Sequence, residues 1–526
     1  MKRLLSLLLL LSILSSAVSL FACQGPAGPS GPENPGGGEG EIEFLDHLDE
    51  TGDSFDFSRE EDLVISHPAH YSYEVYGEEG SNEKLDTLVY NRNRLLESRF
   101  GVGISHEGGV NDTGGVGHFN YVQLAMNTGD VTFDLVSMNA YQAGKLALGN
   151  GGSFLDWRSE VPYCRDSIKA GEEWWPREIN IDSTVMGRQF VAVSDFSITA
   201  IEMCFAVIFN KDLARSTNVA RDVDPDKYTT ESTMYDVVRG NDWTLETMKT
   251  IVKDYWRDNP SAGARGERDA EDRFGLLAPI WTDVDAFAYA FGYNYVYNDG
   301  VSAPELWTWD GGQYDAIVSL RELYYSQGAW TDQANRHLYT RAGFFAQQDR
   351  VLFMLNTLGS LGCDEIHNME QDFGVLPYPK YDRDQAQYYT GALDNYTALG
   401  IPFTALWNLD RLRMTGALVE ALSAENCNSV KAPFYDDIVT HHNVTDGDSA
   451  EMIDIIMAGR VYDLATYHHN ELVLDPEDEE LGAFALFFRY LLRYPNKDIV
   501  QYWQSNGSTL DYQMDVLLSK YASILS

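Results

Sequence analysis

The sequence runs to 526 residues, with 38 Lys plus Arg against 80 Asp plus Glu and a formal net charge of −42. That length exceeds one ordinary core and implies two or three lobes, at roughly 100–200 residues per domain; a 44% hydrophobic content suffices to fill them. The charge excludes a nucleic-acid partner, since no basic footprint exists to release phosphate counterions, and argues against direct adsorption to anionic lipid.

Lys2 and Arg3 precede an apolar run, Leu4 to Leu14, and then Ser15 to Ala22. This pattern predicts a secretory signal over residues 1–22, with an apolar stretch too short to span a bilayer comfortably. The tetrad Leu20-Phe21-Ala22-Cys23 resembles a bacterial lipobox, in which cleavage precedes the cysteine and the thiol is lipidated; Phe21 is bulkier than the usual residue there. Cys23 is therefore the expected lipid attachment and the only link to the membrane. Three Gly-x-y triplets follow, at residues 25–33, too few for a collagen triple helix. Residues 23–59 are read as a Gly/Pro-rich acidic linker.

The body begins at "LVISH", residues 63–67, a strand. A helix over 83–104, another near 118–128 and a strand at 133–140 follow, and this alternation predicts a mostly parallel sheet with helices on its faces. Residues 188–196 and 205–214 read as two long strands. A helix is expected from Trp243 to Trp256, with Asp242 as N-cap and a contribution from Thr244. Helices are expected at 314–330, 411–425 and 449–465, and strands at 350–355 and 372–380. Residues 481–494 read as a mostly buried amphipathic helix. No repeat of 20–50 residues is visible.

Five cysteines occur, none in a C-x-x-C pair, so zinc and redox motifs are not supported. With Cys23 modified, Cys164, Cys204, Cys363 and Cys427 allow three pairings; Cys204, within an apolar run, reads as a buried thiol. His67 and His70 flank Pro68, which prevents a helical ligand presentation. The adjacent pairs His441-His442 and His468-His469 have surface-loop neighbours. Glu172-Glu173 and Asp436-Asp437 are sequence neighbours, which does not make a glycosidase pair spanning a sugar. No G-x-S-x-G, H-E-x-x-H or P-loop occurs.

Four stretches together carry a resemblance: the lipobox with its linker, "VIFNKDLA" (207–214) followed by an acidic spacer and "WTLETMKTIVKDY", "DFGVLPYPKYDRDQAQYYT" (372–390), and "SAEMIDIIMAGRVYDLA" (449–465). In order and spacing they resemble bacterial extracellular solute-binding proteins of ABC importers, in the carbohydrate-binding group (family 1), and a Gram-positive, clostridial-like branch of it. The similarity covers about residues 60–470. Relatives often have a calcium-like D-x-N-x-D-G loop; "RDNPSAGARGERDAEDRFGL" lacks its alternate carboxylates, so no metal and no cofactor are carried over. The resemblance implies an α/β, two-lobed, periplasmic-binding-protein-like fold of type II with ligand held in the cleft between lobes. It places lobe one at 60–193 plus 394–430 and lobe two at 194–393 plus 431–526. It also implies a monomer at the outer face of the cytoplasmic membrane, with ABC permease subunits as partners and no catalytic residues.

A sugar offers hydroxyls and faces of C–H groups, so its cleft needs amides or carboxylates and flat aromatic rings just past strand ends. Tyr141 and Asn356 follow predicted strands, Asp195 follows "FVAVS" near the end of another, Trp281 follows the apolar run "RFGLLAPI", and Asn395 and Tyr396 begin an expected crossover. Trp174 and Trp175 are adjacent and face different ways, and Trp175 is the candidate for stacking. These seven are the expected ligand contacts; core packing is the alternative for each ring. The competing functional classes are a secreted cell-surface carbohydrate-active enzyme, which would release products from sugar polymers, and a surface receptor or adhesin without transport.

Overall fold

The computed structural model describes residues 45–108, 115–149, 152–259, 261, 263, 265–347, 350–435 and 447–524. The expected signal, Cys23, most of the linker, Asp436-Asp437 and His441-His442 lie outside the described residues. The strands, in chain order, are β1 (Leu63–His67), β2 (Ile104–Gly108), β3 (Leu135–Asn139), β4 (Phe205–Asn210), β5 (Phe274–Leu277), β6 (Val296–Tyr297) and β7 (Glu305–Leu306). They continue with β8 (Ala329–Trp330), β9 (Val351–Thr357), β10 (Phe373–Leu376), β11 (Thr390–Gly391), β12 (Thr397–Gly400) and β13 (Arg460–Val461).

Two sheets define two lobes. The first has the order β12-β3-β1-β2, the second β10-β4-β9-β5-β8. In each, a parallel centre carries antiparallel strands: β1 runs parallel to β2 and β3, and β5 to β8 and β9, while β12 opposes β3 and β4 opposes both β9 and β10. β3, β4 and β9 are buried along their whole length, as strands covered on both faces must be. Helices Lys84–Phe100, Val116–Thr128 and Leu409–Glu425 accompany the first sheet; Leu245–Val252, Gly312–Tyr324 and Gly447–Ala458 accompany the second. The α/β, two-lobed architecture expected from the sequence is the one observed.

Two segments connect the sheets where the described chain passes between them. Residues 193–204 run from a single bridge, Ala192 to Leu399, into β4; residues 391–396 run from β11 into β12. The two connections lie against each other: Cys204 bridges Ala392, and Leu393 N–H donates to Met203 O at 2.9 Å. Register places them. Thr397 pairs with Asn139 at the carboxyl end of β3, and Phe205 pairs with Thr357 at the carboxyl end of β9. Both sheets therefore turn their carboxyl ends toward the connections, the position at which open α/β sheets hold ligands.

Several elements differ from expectation for identifiable reasons. Residues 188–196 form no strand: the stretch is buried on its way from the first lobe into the first connection, and its backbone partners are scattered, with Arg188 bridging Val185, Ala192 bridging Leu399, Gln189 O accepting from Trp157 N–H and Asp195 N–H donating to Trp174 O. The segment 205–214 is strand only to Asn210, whose side chain accepts from Leu213 N–H and starts a helix, Lys211–Ser216. Thr244, not Asp242, caps helix Leu245–Val252; Asp242 is held by Lys227, Arg383 and Tyr228 instead. The 314–330 helix ends at Tyr324, and 329–330 is strand β8. The 449–465 helix stops at Ala458 and gives way to β13. Residues 481–494 are helical only over Phe487–Arg493, behind a 3-10 turn at Phe484–Leu486. Cys164, Cys204, Cys363 and Cys427 are buried, and none of them forms a disulfide with another described cysteine.

Candidate functional site

At the carboxyl end of β1 the chain turns at Pro68 into Tyr71 and Tyr73; at that of β3 it enters helix Ala140–Ala147, whose second residue is Tyr141. Past β5 comes Trp281, and the second connection supplies Asp394 and Asn395. From the far end of the chain, His469 follows the short helix Leu464–Tyr467, and Arg489 lies on helix Phe487–Arg493.

Tyr141, His469, Asp394, Asp285, Arg489 and Trp281 form a run. The Tyr141 ring stacks on the His469 imidazole at 6.0 Å between centroids and 23° between planes, and Gln142 Nε2 donates to Tyr141 OH at 2.9 Å. His469 Nδ1 lies 3.7 Å from Asp394 Oδ2. Arg489 forms a two-point ion pair with Asp285, its Nε 3.1 Å from Oδ1. The same guanidinium lies 5.2 Å from the centroid of Trp281, and the exposed Arg336 lies 5.5 Å from it. Between them is a small cavity of about 20 Å³, lined by Phe205, Asp285, Tyr289, Leu393, Asp394 and His469. It has room for about one water. A larger hollow of about 500 Å³ lies at the start of helix Leu245–Val252, between Glu246, Tyr381 and Asp384, and no residue of either connection lines it.

The electrostatics follow from burial. Desolvation pushes the Asp285 carboxyl up to about 7, against the opposing pull of Arg489. Burial pushes the His469 imidazole down, against Asp394. Burial also raises the Tyr71 phenol, helped by Glu74 and Glu202. At neutral pH the site thus offers a neutral imidazole, phenols that keep their protons, and the paired Arg489 and Asp285 side chains. That set donates to and accepts from hydroxyl groups. Among the described residues, no group of three or more His, Cys, Asp or Glu side chains is placed to hold a metal.

The seven residues singled out from the sequence divide. Tyr141, Trp281 and Asn395 are part-exposed and lie at the carboxyl ends of strands or on a connection. The other four are committed elsewhere. Trp175 is 1% exposed, and its Nε1 donates to Glu420 Oε2 at 2.9 Å inside the first lobe. Trp174 does the same to Oε1 at 2.8 Å, so both rings of the pair pack inward around one carboxylate. Asp195 pairs with Lys431 at 2.7 Å. Asn356 is fully buried, donating to Leu338 O and accepting from Thr357 N–H. Tyr396 is 1% exposed and donates to Tyr467 OH at 2.8 Å. His468, read as a surface-loop residue, is buried with Nε2 3.0 Å from Tyr521 OH. Asp285, Asp394 and Arg336 carry no local signal in the sequence, whereas the adjacent pair His468-His469 and the charged positions 489 and 493 within "LFFRYLLR" are the visible signs of His469 and Arg489.

The geometry is that of a two-lobed periplasmic-binding-protein-like fold, and solved structures agree. The chain is similar to maltose-bound MalE3 of T. maritima (12% identity, TM-score 0.50, covering 86% of this chain and 99% of that one). It is similar to the apo-form of RafE from Streptococcus pneumoniae (14% identity, TM-score 0.51, 86% and 99%). It is similar, too, to the GacH receptor of Streptomyces glaucescens GLA.O, solved unliganded and with acarbose (11% identity, TM-score 0.50, 87% and 99%). No family model matches the sequence, and no curated protein matches it.

Proposed function

We propose that the chain is an extracellular solute-binding protein, tethered by a lipid on Cys23, that captures a sugar or oligosaccharide between its lobes and delivers it to the permease subunits of an ABC importer. The observation that carries this reading is that Tyr141 and Trp281, past the carboxyl ends of β3 and β5, lie in one run with His469, Asp394, Asp285 and Arg489. Aromatic faces beside acceptors and donors suit a hydroxyl-rich ligand. The similar structures named above include one with bound maltose and one with acarbose. No catalytic residue is assigned, and the protein acts as a monomer. The proposed lobes are 60–193 plus 394–430 and 194–393 plus 431–526, joined at the two connections; hinge motion about those connections would close the cleft on ligand.

Thermal-shift measurements with a panel of neutral mono- to tetrasaccharides and polyols test the reading. A rise in Tm with one saccharide class is expected. A rise with a different solute class and none with any saccharide would overturn the sugar assignment. Release of products from sugar polymers by the purified protein would favour an enzyme instead.

A further inference from the structure

The two connections between the lobes are tied together by one carboxylate. Glu74 sits in the short helix Ser72–Val75 beyond β1 and is fully buried. Its Oε1 accepts from the backbone N–H of Thr199, on the first connection, at 2.7 Å. Its Oε2 accepts from the hydroxyl of Thr397, where the second connection enters β12, at 2.7 Å. Around it three hydroxyls form a closed cluster: Thr199 and Thr397 Oγ1 are 3.0 Å apart, Thr397 and Ser197 Oγ 2.8 Å, and Ser197 and Thr199 3.1 Å. Thr397 N–H completes it by donating to Thr199 Oγ1 at 2.8 Å. All four side chains are buried.

We propose that Glu74 is a proton-operated latch on the interlobe connections, holding both when ionised and loosening both when protonated. Charge-assisted hydrogen bonds are about twice as strong as neutral ones. The ionised carboxylate accepts one such bond from each connection, whereas a neutral carboxyl keeps only neutral bonds to the same partners. On protonation the hydroxyl chain reverses: Glu74 donates to Thr397 Oγ1, whose own hydrogen turns to Ser197 Oγ. No atom is orphaned in either state, so the element has two satisfied arrangements of different stiffness. The groups facing Glu74 are Arg92 from helix Lys84–Phe100, Glu202 from helix Thr199–Glu202, and Tyr71 and Tyr73 from its own segment. Arg92 donates to the backbone carbonyls of Glu74 and Val75 and to Asn426, and so fixes the Glu74 backbone. Burial, the largest influence, raises the Glu74 carboxyl to about 7, which puts the change of state in the neutral range.

The inference concerns the connections themselves and is independent of what the cleft binds. Hydrogen–deuterium exchange of the intact ligand-free protein at pH 5.5 and pH 8, corrected for intrinsic exchange, tests it. Protection of the 194–204 and 391–400 peptides should fall about tenfold at pH 5.5, the ratio expected when a charge-assisted bond becomes neutral. Glu74→Gln should remove that step, and Glu202→Gln, at the neighbouring carboxyl, should keep it. Thr397→Val guards against a poorly folding Glu74→Gln: the step should persist at 194–204 and vanish at 391–400. An unchanged protection in wild type, a step retained in Glu74→Gln, or a step lost in Glu202→Gln overturns the latch.

Discussion

Glu420 shows how one polar atom pair can organise a lobe. Its carboxylate is fully buried and accepts from Ser167 Oγ at 2.5 Å and from the indole N–H groups of Trp174 and Trp175, while His47 Nε2 lies 3.0 Å away. Removing it leaves three buried donors without an acceptor, each costing about 1–3 kcal/mol. Glu420→Ala is therefore expected to lower the unfolding free energy by about 3–5 kcal/mol in urea titrations, and Glu420→Gln by less, since one oxygen survives. His118 provides a pH signature. It is fully buried beside Ser66 Oγ, and desolvation pushes its imidazole down to about 3. A base whose folded value lies below its unfolded value near 6.5 contributes stability that is present above pH 6.5 and is lost as pH falls. Between pH 6 and 4 the wild-type unfolding free energy should drop more steeply than that of His118→Gln, by about 1.4 kcal/mol per pH unit. Equal slopes in the two proteins would remove His118 from the account.

Elements meet closely at two places that depend on particular side chains. Helix Ala140–Ala147, which carries Tyr141, packs against Leu464–Tyr467, which precedes His469. A Cβ on Gly144 would stand 2.2 Å from the Tyr467 carbonyl oxygen. Gly144→Ala must push these segments apart, so the Tyr141–His469 stack should open and stability fall by about 1–3 kcal/mol; unchanged ligand affinity and Tm would contradict the assignment of that stack to the site. At helix Leu245–Val252, Thr244→Ala should cost about 1 kcal/mol of unfolding free energy and Asp242→Ala should leave the helix cap intact, as hydrogen exchange at Thr247 would report. Much of this level was readable. β1, β9 and helix Leu409–Glu425 follow from apolar runs and periodicity, because burial inside one lobe imprints itself on neighbouring residues. Residues 188–196 look like a strand in sequence because a buried irregular segment and a buried strand leave the same apolar trace; what distinguishes them is that this segment's backbone partners are scattered single contacts and form no ladder.

For the whole molecule, the order of short motifs was enough to anticipate two lobes, since lobe connectivity is a property of the chain sequence. The site was less legible. Tyr141 and Trp281 follow strands and could be found locally, but Asp285 and Arg489 are 204 residues apart in sequence, and nothing local marks either as the other's partner. Trp175 and Tyr396 look like platform rings in sequence, yet their polar atoms are spent on Glu420 and Tyr467. The central claim is that a saccharide is held by Tyr141, Trp281 and the polar groups between them. Isothermal calorimetry of the wild type, Tyr141→Ala and Trp281→Ala against neutral saccharides, one at a time, tests it most directly. The account predicts one saccharide class binding in the micromolar range, with each variant weakened at least about tenfold, near 1.4 kcal/mol. Saccharide binding of unchanged affinity in both folded variants, or no binding of any saccharide, would contradict it.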